Sequence, residues 1–182
     1  MRPVAPPPAR IAIAVAVAVL CESVVLGRRF EPPAPAGVTC TLDGASSVAF
    51  GSYDTMSDND QDAMGHVSYR CDTKNKGKKG NDTKDKENKN PKVSVQITLS
   101  SGNAGGFDRY LSGAGERLRY NLYLDAQRTR VWGDGSAGSV LYEGETKADN
   151  HAVLVPVFGR LFGRQDVSAG SYFDTLVVTL NF

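Results

Sequence analysis

From Val38 onward, apolar and polar residues alternate in short runs that are separated by Gly, Asp, Asn and Ser. A period of two residues is typical of β-strands with one buried and one wetter face, and no helical period interrupts it. The clearest runs are residues 92–100 (KVSVQITLS) and 118–124 (LRYNLYL). Residues 66–71, 152–161 and 172–182 are further strong candidates, and residues 38–42 with 48–50 supply a weaker opening pair. The pattern predicts an all-β domain built from two packed sheets.

The last predicted strand contains the run TLVVTLNF, which continues to residue 182. Leu176, Val178, Leu180 and Phe182 share one face, and Val177 lies on the other. A strand this apolar leaves an unpaired backbone edge and an uncovered groove unless a neighbour covers it. Either another part of the chain covers it, or a second chain supplies a strand.

The N-terminus predicts an export signal. Arg2 and Arg10 precede the unbroken apolar run IAIAVAVAVLC, residues 11–21, which is too short to span a bilayer and fits the apolar region of a signal peptide. We therefore expect residues 1–36 to be a targeting segment and residues 37–182 to form the folded domain. The alternation in IAIAVAVAV also imitates a donor strand, but the apolar region of a signal peptide is the better interpretation.

Residues 72–91 (DTKNKGKKGNDTKDKENKNP) contain no aliphatic or aromatic residue and therefore contribute nothing to a core. The lysines alternate with acidic residues and lack aromatic neighbours, so the segment does not fit a nucleic-acid site. The pattern predicts a Lys-rich, solvated loop insertion between two strands, and no nucleic-acid partner.

Two cysteines, Cys40 and Cys71, lie in the predicted domain. An even pair in an exported chain is the usual signature of a disulfide, and no further ligands accompany it at zinc spacing. We expect a Cys40–Cys71 bridge.

The inventory for catalysis is poor. His66 and His151 lie at a strand start and in a turn, and Ser136 follows Asp134-Gly135 without the first glycine of a nucleophile elbow. Three acidic residues, Asp58, Asp60 and Asp62, alternate like the start of a calcium loop, yet Ala63 and Tyr69 stand where Gly and Glu would be needed. Asp125, Asp134 and Glu143 all lie at predicted turns, and the sequence alone cannot place any two of their carboxylates across a cleft. We expect neither an enzyme nor a bound cofactor or metal.

The segment YNLYLDAQRTRVWGDG, residues 120–135, resembles the spore coat protein U domain, a family that includes pilin subunits of archaic chaperone-usher pili. The similarity extends to CTLDGASSVAFGSYD (40–54), to Cys71 and to PVFGRLFGRQDVSAGSYFDTLVVTLNF (156–182). Residues 72–91 depart from the family, whose members commonly have a short turn there, and Thr55 stands where a proline is frequent.

The resemblance implies an immunoglobulin-like β-sandwich that lacks its final strand and is completed by donor-strand addition. It implies three kinds of partner: a periplasmic chaperone, an outer-membrane usher and neighbouring pilin subunits. It also implies export through the inner membrane into the periplasm, followed by display at the cell surface or by secretion. The acceptor edge would be Leu176, Val177, Val178, Leu180 and Phe182.

Two alternatives stay open. Few residues separate Ala36 from Cys40, and residues 28–39 are rich in proline, so the chain is poorly equipped to donate a strand and fits a tip or terminating subunit. A stand-alone secreted adhesive module is the second interpretation, for which Trp132, Tyr142 and Phe173 would have to be exposed at one end.

Overall fold

The computed structural model describes residues 9–15, 35–73 and 90–182, with residues 9–15 as backbone alone. The predicted Lys-rich loop insertion lies almost wholly outside the described residues. Within them the chain forms ten strands: β1 (Ala9–Val15), β2 (Val38–Ala45), β3 (Ala49–Gly51), β4 (Gln61–Thr73), β5 (Lys92–Leu99), β6 (Tyr110–Gly113), β7 (Glu116–Tyr123), β8 (Tyr142–Lys147), β9 (Asp149–Leu161) and β10 (Phe173–Asn181).

The strands form two layers of an immunoglobulin-like β-sandwich, as the resemblance implied. One layer has the order β2-β4-β9-β7, and the other has the order β3-β1-β10-β5-β8. Strand β6 joins the layers because it pairs with β7 along its length and with the start of β10. The β6–β7 turn places Ala114 and Gly115 at φ values of 50° and 78°, which suits the type of turn that closes a tight hairpin.

The core lies between the layers and is made of the alternate residues that the sequence pattern predicts. Val93, Val95, Ile97 and Leu99 of β5 are all buried, as are Leu118, Tyr120 and Leu122 of β7. The rings of Phe50 in β3 and Tyr120 in β7 lie 6.1 Å apart between their centroids, which shows the two layers in contact. None of the described residues belongs to a helix with the length and apolar character needed to cross a membrane.

The predicted strands are all present, with some differences in length. Strand β5 agrees closely with the prediction, whereas β4 begins five residues earlier than the apolar pattern indicated. Strands β6 and β8 were not predicted. Residues 9–15, which we expected to be part of a signal, form a strand of the sheet in this structure.

Candidate strand-acceptor site

The inner face of β10 carries most of the predicted acceptor residues. Leu176, Val178 and Leu180 are buried in the core, and Phe182 packs against it while partly exposed. Val177 points to the other face and is 40% exposed. The alternation follows from the pleat of the strand, because successive side chains point to opposite faces.

The two edges of β10 have different partners. At one edge, the amide of Val177 donates a hydrogen bond to Ser100 Oγ at 2.9 Å, and its carbonyl accepts one from the amide of Ser100 at 2.9 Å. Because successive backbone groups of a strand point to opposite edges, the amides of Leu176 and Val178 face the other edge.

That second edge is the position of β1. The two strands run parallel, with Ile11 opposite Asp174, Ile13 opposite Leu176 and Val15 opposite Val178. Strand β3 pairs with the far side of β1 in the antiparallel sense. The sandwich body therefore has a gap one strand wide between β3 and β10, which we call the slot, and in this structure residues 9–15 occupy it.

The β3 wall of the slot is anchored to the opposite layer. Val48 and Phe50 are buried, and a Cβ atom at Gly159 of β9 would lie 2.6 Å from Val48 Cγ1 and 2.9 Å from Phe50 Cζ. A Cβ atom at Gly65 of β4 would likewise lie 2.9 Å from Val48 Cγ2. Glycines within strands β4 and β9 thus let the short strand β3 approach the core.

A buried carboxylate fixes the start of β10. Asp174 accepts hydrogen bonds from the Tyr120 hydroxyl at 2.6 Å and from the amides of Asn103 and Thr175 at 2.8 Å each. Burial, reinforced by the adjacent Asp174, raises the pKa of Tyr120, so its hydroxyl stays protonated and donates. These bonds hold β10 against β7 and against the loop before β6.

Beside this carboxylate, Arg109 is fully buried. Its guanidinium donates to Asn121 Oδ1 at 2.9 Å, to the Trp132 carbonyl at 2.7 Å and to the Ser100 carbonyl at 2.8 Å. Burial lowers the pKa of Arg109 to about 10, so the side chain remains charged at neutral pH. Sequence patterns did not single out Arg109 or Asp174, because a charged residue within a loop or strand looks like an ordinary surface residue.

The disulfide between Cys40 and Cys71 is present and joins directly opposed residues of β2 and β4. Both cysteines are buried in the core cluster. The bridge therefore ties the outer strand β2 to the sandwich.

The residues weighed for catalysis and for metal binding contact local partners. The His151 ring contacts Asp149, Nδ1 to Oδ1 at 3.0 Å, while Ser136 Oγ donates to Asp134 at 2.6 Å. Asp60 and Asp62 both face Arg160, and Asp58 pairs with Arg164. Across the described residues, no three His, Cys, Asp or Glu side chains are grouped as metal ligands.

The aromatic residues considered for a binding end do not form one exposed cluster. Trp132 is fully buried, and its Nε1 donates to the Ile97 carbonyl at 2.9 Å. Tyr142 packs against it with 6.2 Å between ring centroids, while Phe173 is exposed at the start of β10. Trp132 is thus a packed turn residue of the core.

The chain is similar to known proteins in structure and in sequence. Among solved structures, a similar one is the crystal structure of the CsuC-CsuE chaperone-tip adhesion subunit pre-assembly complex from archaic chaperone-usher Csu pili of Acinetobacter baumannii, at 15% identity and a TM-score of 0.41. The match covers 80% of this chain and 40% of that one. No curated protein matches the chain. The family model of the Spore Coat Protein U domain matches residues 34–179, and the chain therefore belongs to the spore coat protein U domain family.

Proposed function

We propose that the chain is a non-catalytic structural subunit of a secreted surface fibre, of the archaic chaperone-usher type, assembled by donor-strand complementation. The observation that carries the proposal is the slot between β3 and β10, which accepts one added strand. Family membership supports it, because the family includes pilin subunits. The proposed partners are a periplasmic chaperone, an outer-membrane usher and neighbouring subunits, and the route leads through the periplasm to the cell surface.

The acceptor edge in this proposal is β10. Backbone groups of Leu176 and Val178 pair with the donor, and the buried side chains of Leu176, Val178 and Leu180 line the inner side of the slot. The backbone of Val177 faces Ser100 at the other edge, and Phe182 follows the end of β10, so these two predicted residues do not pair with the donor in this proposal. Donor side chains that point inward would join the core, so that backbone pairing and apolar burial both contribute to binding.

Residues 1–36 act in this proposal as the export segment. Removal of that segment takes β1 out of the slot and leaves an open edge for a chaperone strand. The proline-rich residues before Cys40 make a poor donor strand, which favours a tip or terminating position in the fibre.

A second candidate function rests on the same strand. With residues 9–15 retained, β1 fills the slot from within the chain and the sandwich has no open position there. Such a molecule would be a self-sufficient adhesive module rather than a fibre subunit.

The decisive experiment is periplasmic production of residues 37–182 with and without a chaperone of the chaperone-usher type. Size-exclusion chromatography and thermal unfolding would then be compared. We expect a stoichiometric complex with the chaperone, and aggregation or strand-swapped oligomers without it, because the slot is open. The matched control is the full chain with residues 9–15 retained, which we expect to be monomeric without a chaperone.

A stable monomer of residues 37–182 that does not bind the chaperone would contradict the fibre mechanism. It would show that the sheet needs no added strand, and the adhesive module would then be the better explanation.

A further inference from the structure

A cavity lies over the outer face of the β6–β7 hairpin. Its volume is about 450 Å³, and its lining includes Asp108, Tyr110, Arg117, Arg119 and Gln165 together with the glycine-rich segment 104–106. None of these residues belongs to β1, β3 or β10. The volume falls in the range of small-molecule sites, and the site is independent of the proposed fibre function.

Two arginines project into this cavity from alternate positions of β7. Arg117 and Arg119 are exposed, whereas Leu118 between them is buried. Tyr110 lies directly opposite Arg119 across the hairpin. The pleat of the hairpin thus brings both guanidiniums and the tyrosine to one side.

Aromatic rings, not carboxylates, hold these guanidiniums. The Arg117 Cζ atom lies 4.4 Å from the centroid of the Tyr110 ring, and the Arg119 Cζ atom lies 5.5 Å from that of Phe162. Neither arginine forms an ion pair with any residue in the described ranges, in contrast to Arg70, Arg160 and Arg164. Stacking restricts the orientation of a guanidinium while leaving its charge uncompensated, which prepares it to bind an anion.

The surroundings of the two arginines are fixed by hydrogen bonds. The Tyr110 hydroxyl donates to the Asn103 carbonyl at 2.6 Å. Gln165 accepts from the Arg119 amide at 2.6 Å and donates to the carbonyls of Arg119 and Phe162 at 2.9 and 2.8 Å. The cavity floor therefore keeps its shape without a ligand.

Asp108 decides which anion fits. A simple phosphate or sulfate would be repelled by a carboxylate in the same cavity, whereas a sugar acid offers hydroxyl groups that donate to a carboxylate and a carboxylate that accepts from guanidiniums. We propose that this cavity binds a uronic acid unit of an acidic polysaccharide, with Arg117 and Arg119 on the sugar carboxylate and Asp108 on the sugar hydroxyls.

Isothermal titration of the full chain with trigalacturonate tests the proposal, with the carboxyl-reduced neutral trisaccharide and inorganic phosphate as comparison ligands. We expect binding of trigalacturonate alone, weakened by added salt because both arginines are exposed. Arg117→Gln and Arg119→Gln should each raise Kd about tenfold, since each removes a charge-assisted hydrogen bond. The exposed Arg130 lies outside the cavity, so Arg130→Gln should leave Kd unchanged.

Asp108→Ala separates a saccharide site from a general anion site. It should raise the Kd for trigalacturonate several-fold, whereas loss of a repelling charge would lower the Kd at a simple anion site. The proposal is overturned if the folded chain does not bind trigalacturonate, or if it binds the neutral trisaccharide or phosphate equally well. It is also overturned if Asp108→Ala binds trigalacturonate more tightly than wild type, or if both arginine variants keep the wild-type Kd. Circular dichroism confirms that each variant is folded. Arg117→Lys keeps the charge but loses the planar guanidinium, so its Kd should lie between those of wild type and Arg117→Gln.

Discussion

At the scale of single residues, Arg109 is the buried cation whose hydrogen bonds connect three segments: the ends of β5 and β7 and the turn that contains Trp132. Methionine at this position would leave the carbonyls of Ser100 and Trp132 without this donor, whereas Asn121 Oδ1 would keep the Leu122 amide. We expect Arg109→Met to lower the free energy of unfolding by about 3 kcal/mol, because buried acceptors left unpaired are costly. Urea unfolding followed by Trp132 fluorescence measures the change.

The control for that variant is Arg130→Met, at an exposed arginine, which should change the free energy of unfolding by no more than about 0.5 kcal/mol. If Arg109→Met were as stable as Arg130→Met, the network around Arg109 would make no net contribution to stability.

Asp62 gives a pH-dependent prediction. Hydrogen bonds from Arg160 hold the pKa of Asp62 below its ordinary value of 3.8. A carboxyl whose pKa is depressed on folding contributes stability above its unfolded pKa, and that contribution is lost as the pH falls through the folded pKa. Asp62→Asn should therefore cost about 0.5 kcal/mol at neutral pH, a small value because the pair is partly exposed, and nothing under strongly acidic conditions.

Urea unfolding at pH 7 and at about pH 2 compares wild type with Asp62→Asn. Asp166→Asn removes an exposed carboxylate that forms no ion pair with the described residues, and it controls for the loss of charge itself. An Asp62→Asn deficit that stays constant down to low pH would show that the ion pair is not its cause.

At the scale of elements, the alternation of apolar and polar residues was sufficient to predict a strand that has one buried face. Strands β5 and β10 alternate strictly between buried and exposed or half-buried residues, and both were predicted to within two residues at either end. Strand β8 pairs with β5 alone among the described strands, and its residues are all half-buried or exposed. An apolar pattern therefore has nothing to detect there.

The residues 9–15 show a different limit of sequence patterns. An alternating apolar run that follows basic residues fits both an export signal and a strand, and the interpretation depends on whether an open edge exists elsewhere in the fold. The open edge was predictable from TLVVTLNF, but the pairing of β1 with β10 depends on the three-dimensional slot. The saccharide cavity was missed for the same reason, since residues 104–119 and Gln165 meet only after the hairpin packs.

The slot makes a prediction for β10 in the full chain. In a parallel pair, a residue that faces its partner strand bonds to the residues on either side of its opposite number, so Leu176, opposite Ile13, faces the backbone groups of Ala12 and Ala14. Proline at Ala14 removes the backbone donor that faces Leu176 and should weaken the pairing of the two strands. We expect amide hydrogen exchange at Leu176 and Val178, which face the slot, to accelerate at least about tenfold. Lowering the free energy of local opening by about 1.4 kcal/mol is enough for a tenfold increase in the exchange rate. Exchange at Val177 should change little, because its amide donates to Ser100 at the other edge.

Ala14→Ser is the matched control, since it keeps the backbone donor and is close to alanine in size. Equal acceleration at Val177 and Val178 in Ala14→Pro would mean that the whole strand opens, and would contradict a slot that is vacated without disturbing the β5 edge.

At the scale of the whole molecule, pairings between strands distant in sequence hold the two layers together. Strand β4, for example, pairs with β9 over most of its length, and β2 is hydrogen-bonded only to β4 within the described sheets. An outer strand with one neighbour is easily lost by local unfolding. The disulfide between β2 and β4 closes that weak point with a covalent bond.

Reduction of the Cys40–Cys71 bridge should therefore destabilise the whole domain. The two cysteines are 31 residues apart, and closing a loop of this length lowers the entropy of the unfolded chain enough to stabilise the fold by about 3 to 4 kcal/mol. Urea unfolding of the full chain with and without dithiothreitol measures the difference on one sequence, without the cavity that a substitution would create. Because the effect arises mainly in the unfolded state, the circular dichroism of the folded protein should be the same in both conditions. A loss of strand signal on reduction, before any urea is added, would instead show that the bridge is needed to hold β2 in place.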